Sequence, residues 1–164
     1  AQHVPPTDIP GVGRFAFLAD PGGAMFYVMR GASEGTSHAY DPNAVGHCRW
    51  NELTAHDPAA IWDFYAALFG WTKGGTMPMG PMGDYQFIDQ GGKTFGALMK
   101  GAPGAQPGWR QYFGVADIDL ACQKIANAGG AVLEGPHEIP GGEFSAHARD
   151  PQGGSFALVG PRKG

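Results

Sequence analysis

The sequence predicts an α+β fold in which a βαβββ unit occurs twice, helices cover one face of each sheet, and the other face is left to form a cleft. Three observations predict it. Residues 9–29 (IPGVGRFAFLADPGGAMFYVM) and 139–159 (IPGGEFSAHARDPQGGSFALV) align without a gap at an offset of 130. Two helix starts, at Asp57 and Asp117, lie 60 residues apart. Each helix signal is followed by three short strand signals separated by glycines. A fixed-period repeat of this kind reports duplicated structural units.

The elements follow in order. Residues 1–30 read as the last three strands of a preceding module. In both copies of the repeat the opening Ile-Pro-Gly, an Asp-Pro pair (Asp20-Pro21, Asp150-Pro151), a Gly (Gly23, Gly153) and a Phe (Phe26, Phe156) coincide. Residues 31–46 (GASEGTSHAYDPNAVG) form a polar linker. Residues 47–164 form a complete module. Within it, Cys48–Ala55 is a strand. Asp57 caps a helix with Pro58 at its first position, because the carboxylate accepts from otherwise unmet N–H groups and proline lacks one. Ile61, Phe64, Tyr65 and Leu68 then fall at helical spacing, and Gly70 closes the helix. Strands follow near 76–79, 84–88 and 93–99. After the loop 100–108 (KGAPGAQPG) the plan recurs. Trp109–Val115 is a strand, and Asp117 caps a helix carrying Ile118, Ala121, Cys122, Ile125 and Ala128 on one face. Gly129-Gly130 ends that helix, and strands follow near 131–134, 143–149 and 155–159.

Composition sets limits on function. A chain of 164 residues suffices for one domain with a real core. With 28 Gly and 14 Pro, turns are many and elements short. A net charge of −4 argues against general nucleic-acid binding, which needs a basic surface. The two cysteines, Cys48 and Cys122, sit in apolar segments and read as buried free thiols, and no zinc-type spacing is present. No leader and no membrane-length apolar run occurs. The expectation is a cytoplasmic, soluble protein with no membrane partner. The start at Ala1 rather than Met fits a fragment or a processed end.

The words Asp57…Phe64-Tyr65…Leu68…Gly70-Trp71, then Val115, Ile118, Cys122, Lys124-Ile125, Ala128-Gly129-Gly130 and Asp150-Pro151-Gln152-Gly153 carry a resemblance. They resemble the glyoxalase/bleomycin-resistance/dioxygenase superfamily, also called vicinal oxygen chelate. The Ile-Pro-Gly-Gly and Asp-Pro-Gln-Gly words are similar, more narrowly, to its tandem two-module, glyoxalase-like or hydroxylase-like members. The resemblance implies a cup-shaped mixed sheet made of paired βαβββ units, with the helices on its outer face. It also implies that metal-dependent members place His, Glu or Gln ligands on the first and last strands of each unit. Such ligands suit a Lewis-acid metal with open positions for two substrate oxygens.

Counting by that spacing puts Trp50, Arg110 and Ala157 in three of the slots. No Asp, Glu or His occurs between Gly91 and Trp109 or between Pro151 and Gly164, so two of the strands cannot supply those ligands in any register. Gln106 and Gln152 fall in loops. A guanidinium at position 110 stays protonated and would repel a cation. The expectation is therefore no metal and no cofactor.

Strand alternation sorts the faces. Trp50, Glu52 and Thr54 share one face and Leu53 and Ala55 the other. Arg110 and Tyr112 share a face opposite Phe113 and Val115, and His147 shares one with Ser145 and Arg149. This suggests a small-molecule site with an aromatic floor (Trp50, Tyr112, Tyr85) and polar anchors (Glu52, Arg110, His147). Each has a structural alternative. Glu52 and Arg110 can be a partly buried ion pair, Trp50 and Tyr112 packing residues, and His147 a hydrogen-bonded strand residue. His56, His137 and Glu138 read as loop or surface residues. The run Met77-Pro78-Met79-Gly80-Pro81-Met82-Gly83 reads either as an adaptable apolar rim or as gap filling.

Four functions compete. The first is metal-free binding or sequestration of a small molecule, as in bleomycin resistance. The second is a lyase, isomerase or dioxygenase whose metal ligands lie at non-standard positions or in a missing module. The third is a metal-free enzyme with Glu52 as base and Arg110 or Tyr112 holding an oxyanion. The fourth is a structural module whose partner holds the active site. Residues 9–29, left alone, would expose strand edges. They should either pack on the complete module or pair with another chain, as a homodimer or with a second module.

Overall fold

A computed structural model describes residues 1–164 and contains two α-helices and eleven strands. Residues Ala1–Ser37 and Glu52–Trp109 make one compact unit, and His38–Asn51 with Arg110–Gly164 make the other. The protein is α+β throughout, with the βαβββ plan present in two copies.

The first unit opens with strands β1 (Gln2–Ile9), β2 (Gly13–Ala19) and β3 (Met25–Gly31), which form an antiparallel sheet in the order β1-β2-β3. It continues with β4 (Cys48–Ala55), helix α1 (Pro58–Phe69), β5 (Thr72–Pro78), β6 (Asp84–Gln90) and β7 (Lys93–Lys100), in the strand order β5-β6-β7-β4. The second unit contains β8 (Gly108–Gly114), helix α2 (Ile118–Asn127), β9 (Ala131–Glu138), β10 (Phe144–Arg149) and β11 (Ser155–Gly160), in the order β8-β11-β10-β9. β4 and β8 each straddle the division, with Cys48–Asn51 in the second unit and Gly108–Trp109 in the first.

Both helices begin where their aspartates predict. Asp57 accepts from the N–H groups of Ala59 and Ala60, and Asp117 from those of Asp119 and Leu120. Each carboxylate meets two of the N–H groups that a helix start leaves without partners. Gly70 ends α1 in the left-handed conformation (φ 70°), where a side chain would be strained. Most of the expected α2 face packs: Ile118, Ala121, Cys122 and Ile125 meet Ala146, Leu158 and Phe156 of the sheet, whereas Ala128 is exposed because the helix ends at Asn127 and Ala128 is its C-cap.

The α1 face differs from expectation. Ile61 and Tyr65 are buried, but Leu68 is exposed and Trp62 takes a buried place instead. The apolar stripe is wider and rotated because α1 is covered on two sides. Leu53, Ala55, Ile88 and Leu98 meet it from the sheet, and Ala24 and Phe26 meet it from the strands of residues 1–30. The strands of residues 1–30 therefore pack against α1.

The offset of 60 survives folding. Leu98 and Leu158 occupy equivalent places facing their helices, and Ala97 and Ala157 equivalent, fully buried places on the opposite faces. Two turns at an offset of 130 share one hydrogen-bond pattern. Asp20 Oδ1 accepts from the N–H groups of Gly22 and Ala24, and Asp150 Oδ1 from those of Gln152 and Gly154. In each turn the aspartate holds its own chain reversal through a side-chain-to-backbone bond two residues on.

Asp20 has one further task. It is buried, and its Oδ2 accepts from the Tyr65 hydroxyl at 3.2 Å. The same hydroxyl accepts from Trp109 Nε1 at 3.1 Å. Burial pushes the Tyr65 phenol well above its ordinary value, so it remains a donor to the carboxylate at all ordinary pH. Its ring stacks on Trp71 (4.6 Å between centroids) and meets Phe26 and Trp109 edge-on.

Both cysteines are free and half-buried rather than fully buried. Cys48 Sγ donates to the Trp50 carbonyl, and burial pushes both thiols up. The later part of the linker runs beside β4, with Tyr40 bridging to Cys48 and Gly46 N–H donating to the Gly114 carbonyl.

Tyr65→Phe keeps the ring stack and removes the hydroxyl, which leaves the Asp20 carboxylate and the Trp109 N–H each short of a buried partner. Urea unfolding should show a loss of about 1–3 kcal/mol, the usual cost of an unmet buried group. Stability equal to the wild type would show that this bridge is not a principal support.

Candidate functional site

The candidate residues divide between the two units. Glu52 and Tyr85 belong to the first, and Trp50, Arg110, Tyr112 and His147 to the second.

In the first unit Glu52 is only 6% exposed. Its Oε2 accepts from the Tyr85 hydroxyl at 2.9 Å, and Tyr85 is itself buried and packs edge-on against Phe87. β4 brings Glu52 to the face opposite Leu53 and Ala55, whose side chains meet α1. Tyr85 thus does more than supply an aromatic surface, because its hydroxyl holds a buried carboxylate.

In the second unit, Trp50, Tyr112, Ala157, Val159 and Ile139 form an apolar cluster distinct from the one beneath α2. Arg110 is half-buried and precedes Tyr112 by two residues on β8, hence lies on the same face by alternation. In the parallel pairing of β8 with β11, Ala157 stands beside Tyr112, one inward position beyond Arg110.

A row of side chains crosses this face. Tyr112 on β8 is level with Ala157 on β11, Ala157 with His147 on β10, and His147 with Glu134 on β9. The Tyr112 hydroxyl lies 3.0 Å from His147 Nε2, and His147 Nδ1 lies 3.0 Å from Glu134 Oε2. Tyr112 and His147 sit two strands apart, roughly 10 Å between backbones. Their side chains meet because Ala157 between them offers only a methyl group.

Glu134 reaches this row through an irregularity. The β9–β10 register shifts on either side of His147. Ser145 pairs with His137, and continuing that register would place Gly135 opposite His147. The shift places Glu134 there instead. Gly135 takes φ 87°, and a Cβ added to it would lie 2.6 Å from the Ser145 carbonyl oxygen, so only glycine fits the shifted strand. Sequence reasoning found Tyr112 and His147 but missed Glu134. The available signal was the Gly135-Pro136 pair within a strand, which marks a bulge.

With a neutral imidazole the row has one consistent hydrogen-bond pattern. A carboxylate only accepts, so the nitrogen beside Glu134 carries the proton. A neutral imidazole then has Nε2 as acceptor, and the Tyr112 hydroxyl donates to it. Glu134 Oε1 also lies 3.9 Å from Nε2 of His137.

Nowhere in the chain do three or more His, Cys, Asp or Glu side chains converge in a way that could hold a metal ion. The slot residues Trp50, Arg110 and Ala157 offer no neutral nitrogen or carboxylate donor. The donor set does not fit a family-type metal. Two surface depressions lie elsewhere. One of about 350 Å³ is lined by Asp8, Arg14 and Arg30 among others, and one of about 290 Å³ by Trp62, Lys73, Met82 and Leu98 among others. Met82, from the methionine-rich run, thus borders a depression of the first unit beside Trp62, over whose ring Lys73 Nζ sits 5.4 Å from the centroid.

The two βαβββ copies define a class of protein, and comparison with known sequences gives it a name. Residues 44–158 match the model of the Glyoxalase/Bleomycin resistance protein/Dioxygenase superfamily, and the chain belongs to that family. It is 34% identical over 161 residues to the "Putative glyoxylase CFP32" of Mycobacterium tuberculosis, covering 96% of this chain and 60% of that protein. It is 35% identical over 167 residues to the anthracycline biosynthesis protein DnrV of Streptomyces peucetius, covering 97% and 57%. The chain thus spans about 60% of the length of these relatives. Among solved structures it is similar to 2,2',3-trihydroxybiphenyl 1,2-dioxygenase of Sphingomonas wittichii strain RW1. That likeness has a TM-score of 0.64 at 18% identity, covers 97% of this chain and 62% of the dioxygenase, and shows the shared fold.

Ala157→Leu would place a branched side chain between Tyr112 and His147. Overpacking of this kind costs about 1–3 kcal/mol. The variant should also lose the Tyr112–His147 hydrogen bond, read as an upfield move of the His147 ring resonances in NMR. Unchanged ring resonances would show that the two side chains do not need the small residue between them.

Proposed function

We propose that this chain is a metal-free, small-molecule-binding member of the superfamily. The observation that carries the reading is the identity of the slot residues: a tryptophan, an arginine and an alanine stand where ligands would be needed. On the second unit Trp50 supplies a flat apolar surface, Arg110 a fixed positive charge for an anionic or carbonyl group, and Tyr112 with His147 polar contacts. On the first unit the Glu52–Tyr85 pair is a polar anchor. DnrV is named for anthracycline biosynthesis, and a planar aromatic ligand for this chain is in keeping with that name.

Residues 1–30 are proposed to be the last three strands of a preceding module, residues 31–46 a linker and residues 47–164 a complete module. The repeated Asp20 and Asp150 turns support this division. On the sheet of β1–β3, Tyr27 and Met29 are exposed, and Tyr27 stacks on Phe17 at 4.3 Å. That exposure supports pairing of this face with further structure, in a second module or a second chain.

A second reading is a lyase, isomerase or dioxygenase whose metal ligands lie outside these residues. It is favoured by the fact that the relatives are longer than this chain. No helix is long and apolar enough to cross a membrane.

The test is thermal and fluorescence titration with planar aromatic ligands, before and after chelation. A ligand at a hundred times its Kd should stabilise the protein by about 2.7 kcal/mol. Chelation should leave this unchanged, and Trp50→Phe should remove most of the fluorescence response. Stabilisation by Zn, Ni, Mn or Fe ions, or binding abolished by chelation, would overturn the metal-free reading.

A further inference from the structure

The row Tyr112–His147–Glu134 has a direction. Tyr112 is 8% exposed, the His147 side chain 25% and the Glu134 side chain 60%. It therefore runs from a buried phenol to a carboxylate in contact with water, through an imidazole with a bond at each ring nitrogen. A surface His–Glu ion pair by itself would be an ordinary structural feature. Here the far nitrogen of the same ring is committed to a buried hydroxyl, and two sequence features, the small buried Ala157 and the shifted strand at Gly135, bring the three groups into line.

We propose that these three residues form a proton relay serving a bound ligand with a weakly acidic hydroxyl, a phenol or an enol. The inference rests on the small-molecule reading above and names the chemistry of the ligand at that face. The Tyr112 hydrogen is donated to His147, so toward a ligand the phenol oxygen acts as an acceptor and selects a donor. Trp50, only partly buried at the margin of the Tyr112–Ala157–Val159 cluster, offers a flat apolar surface to a planar carbon skeleton.

The step balances as a proton transfer. The ligand O–H bond breaks and its proton bonds to the Tyr112 oxygen, while the Tyr112 O–H bond breaks and its proton bonds to His147 Nε2. The products are a ligand oxyanion, a neutral tyrosine and an imidazolium beside the Glu134 carboxylate. The imidazolium then releases a proton at its exposed edge to water. Tyr112 is the residue that touches the ligand. His147 and Glu134 are positioning residues: Glu134 selects the tautomer and favours the imidazolium, as an orienting carboxylate does behind a histidine base. Ser145 and Arg149 share the β10 face with His147, and His137 lies beside Glu134.

Two measurements test the relay. The first needs no ligand. In ¹⁵N NMR of the intact chain, His147 should be the tautomer protonated at Nδ1, and Glu134→Gln should shift the ring toward the other form. A ring protonated at Nε2 in the wild type overturns the relay and leaves the small-molecule reading standing. The second uses 4-nitrophenol, whose phenolate absorbs at longer wavelength than the phenol. Bound to the wild type it should be more ionised than in buffer by roughly tenfold, an apparent shift of about one pH unit. Glu134→Gln should still bind the probe, followed by calorimetry, and lose most of that extra ionisation, whereas Tyr112→Phe and His147→Gln should bind it more weakly and lose the extra ionisation entirely. Binding of the phenol with its protonation unchanged overturns the relay alone. Failure of the wild type to bind 4-nitrophenol overturns the assignment of phenols to this face. If planar aromatics without a hydroxyl still bind, the broader reading is intact.

Discussion

A single buried hydroxyl ties the first unit together. Tyr65 donates to Asp20 and accepts from Trp109, so three segments far apart in the chain share one polar point inside an aromatic cluster. The arrangement is demanding, because each of these groups would be costly if buried alone. Asp20 can serve because its other oxygen already holds its own turn. The strands of residues 1–30 are thereby fastened to α1 by polar geometry as well as by Phe26 and Ala24. This explains why α1 buries Trp62 and leaves Leu68 exposed: a helix covered from two sides no longer follows a single stripe.

The second unit depends on smallness rather than bulk. Ala157 is fully buried, and its methyl group leaves the space in which Tyr112 and His147 meet across two strands. Gly135 does the equivalent at the sheet edge by allowing the register shift that brings Glu134 level with His147. At the three positions to which the family spacing points, this chain has a guanidinium, an indole and a methyl group. On the second unit Tyr112, His147 and Glu134 form a row of hydrogen bonds. In such a fold the chemistry depends on which side chains occupy the sheet positions.

Much of this was legible beforehand. The Asp57 and Asp117 caps, the strand spans at an offset of 60 and the faces carrying Leu53, Tyr112 and His147 follow from local rules: capping, periodicity and alternation. The family follows from the same spacing. Other features were not legible. Glu134 was missed because alternation assumes an unbroken register, and the register breaks beside Gly135. The Tyr85 hydroxyl looked like part of an aromatic surface because nothing local points it at Glu52.

The sequence by itself determined the βαβββ plan, its duplication, the superfamily and the lack of metal-ligand residue types on two strands, since each depends on residue identity at short, regular spacing. Only the tertiary structure decided which polar groups meet. Tyr65 and Asp20 are 45 residues apart, and Tyr112 and His147 are 35 apart. Their contacts depend on strand order, on one register shift and on the size of the residue between, and none of these is a property of any local segment.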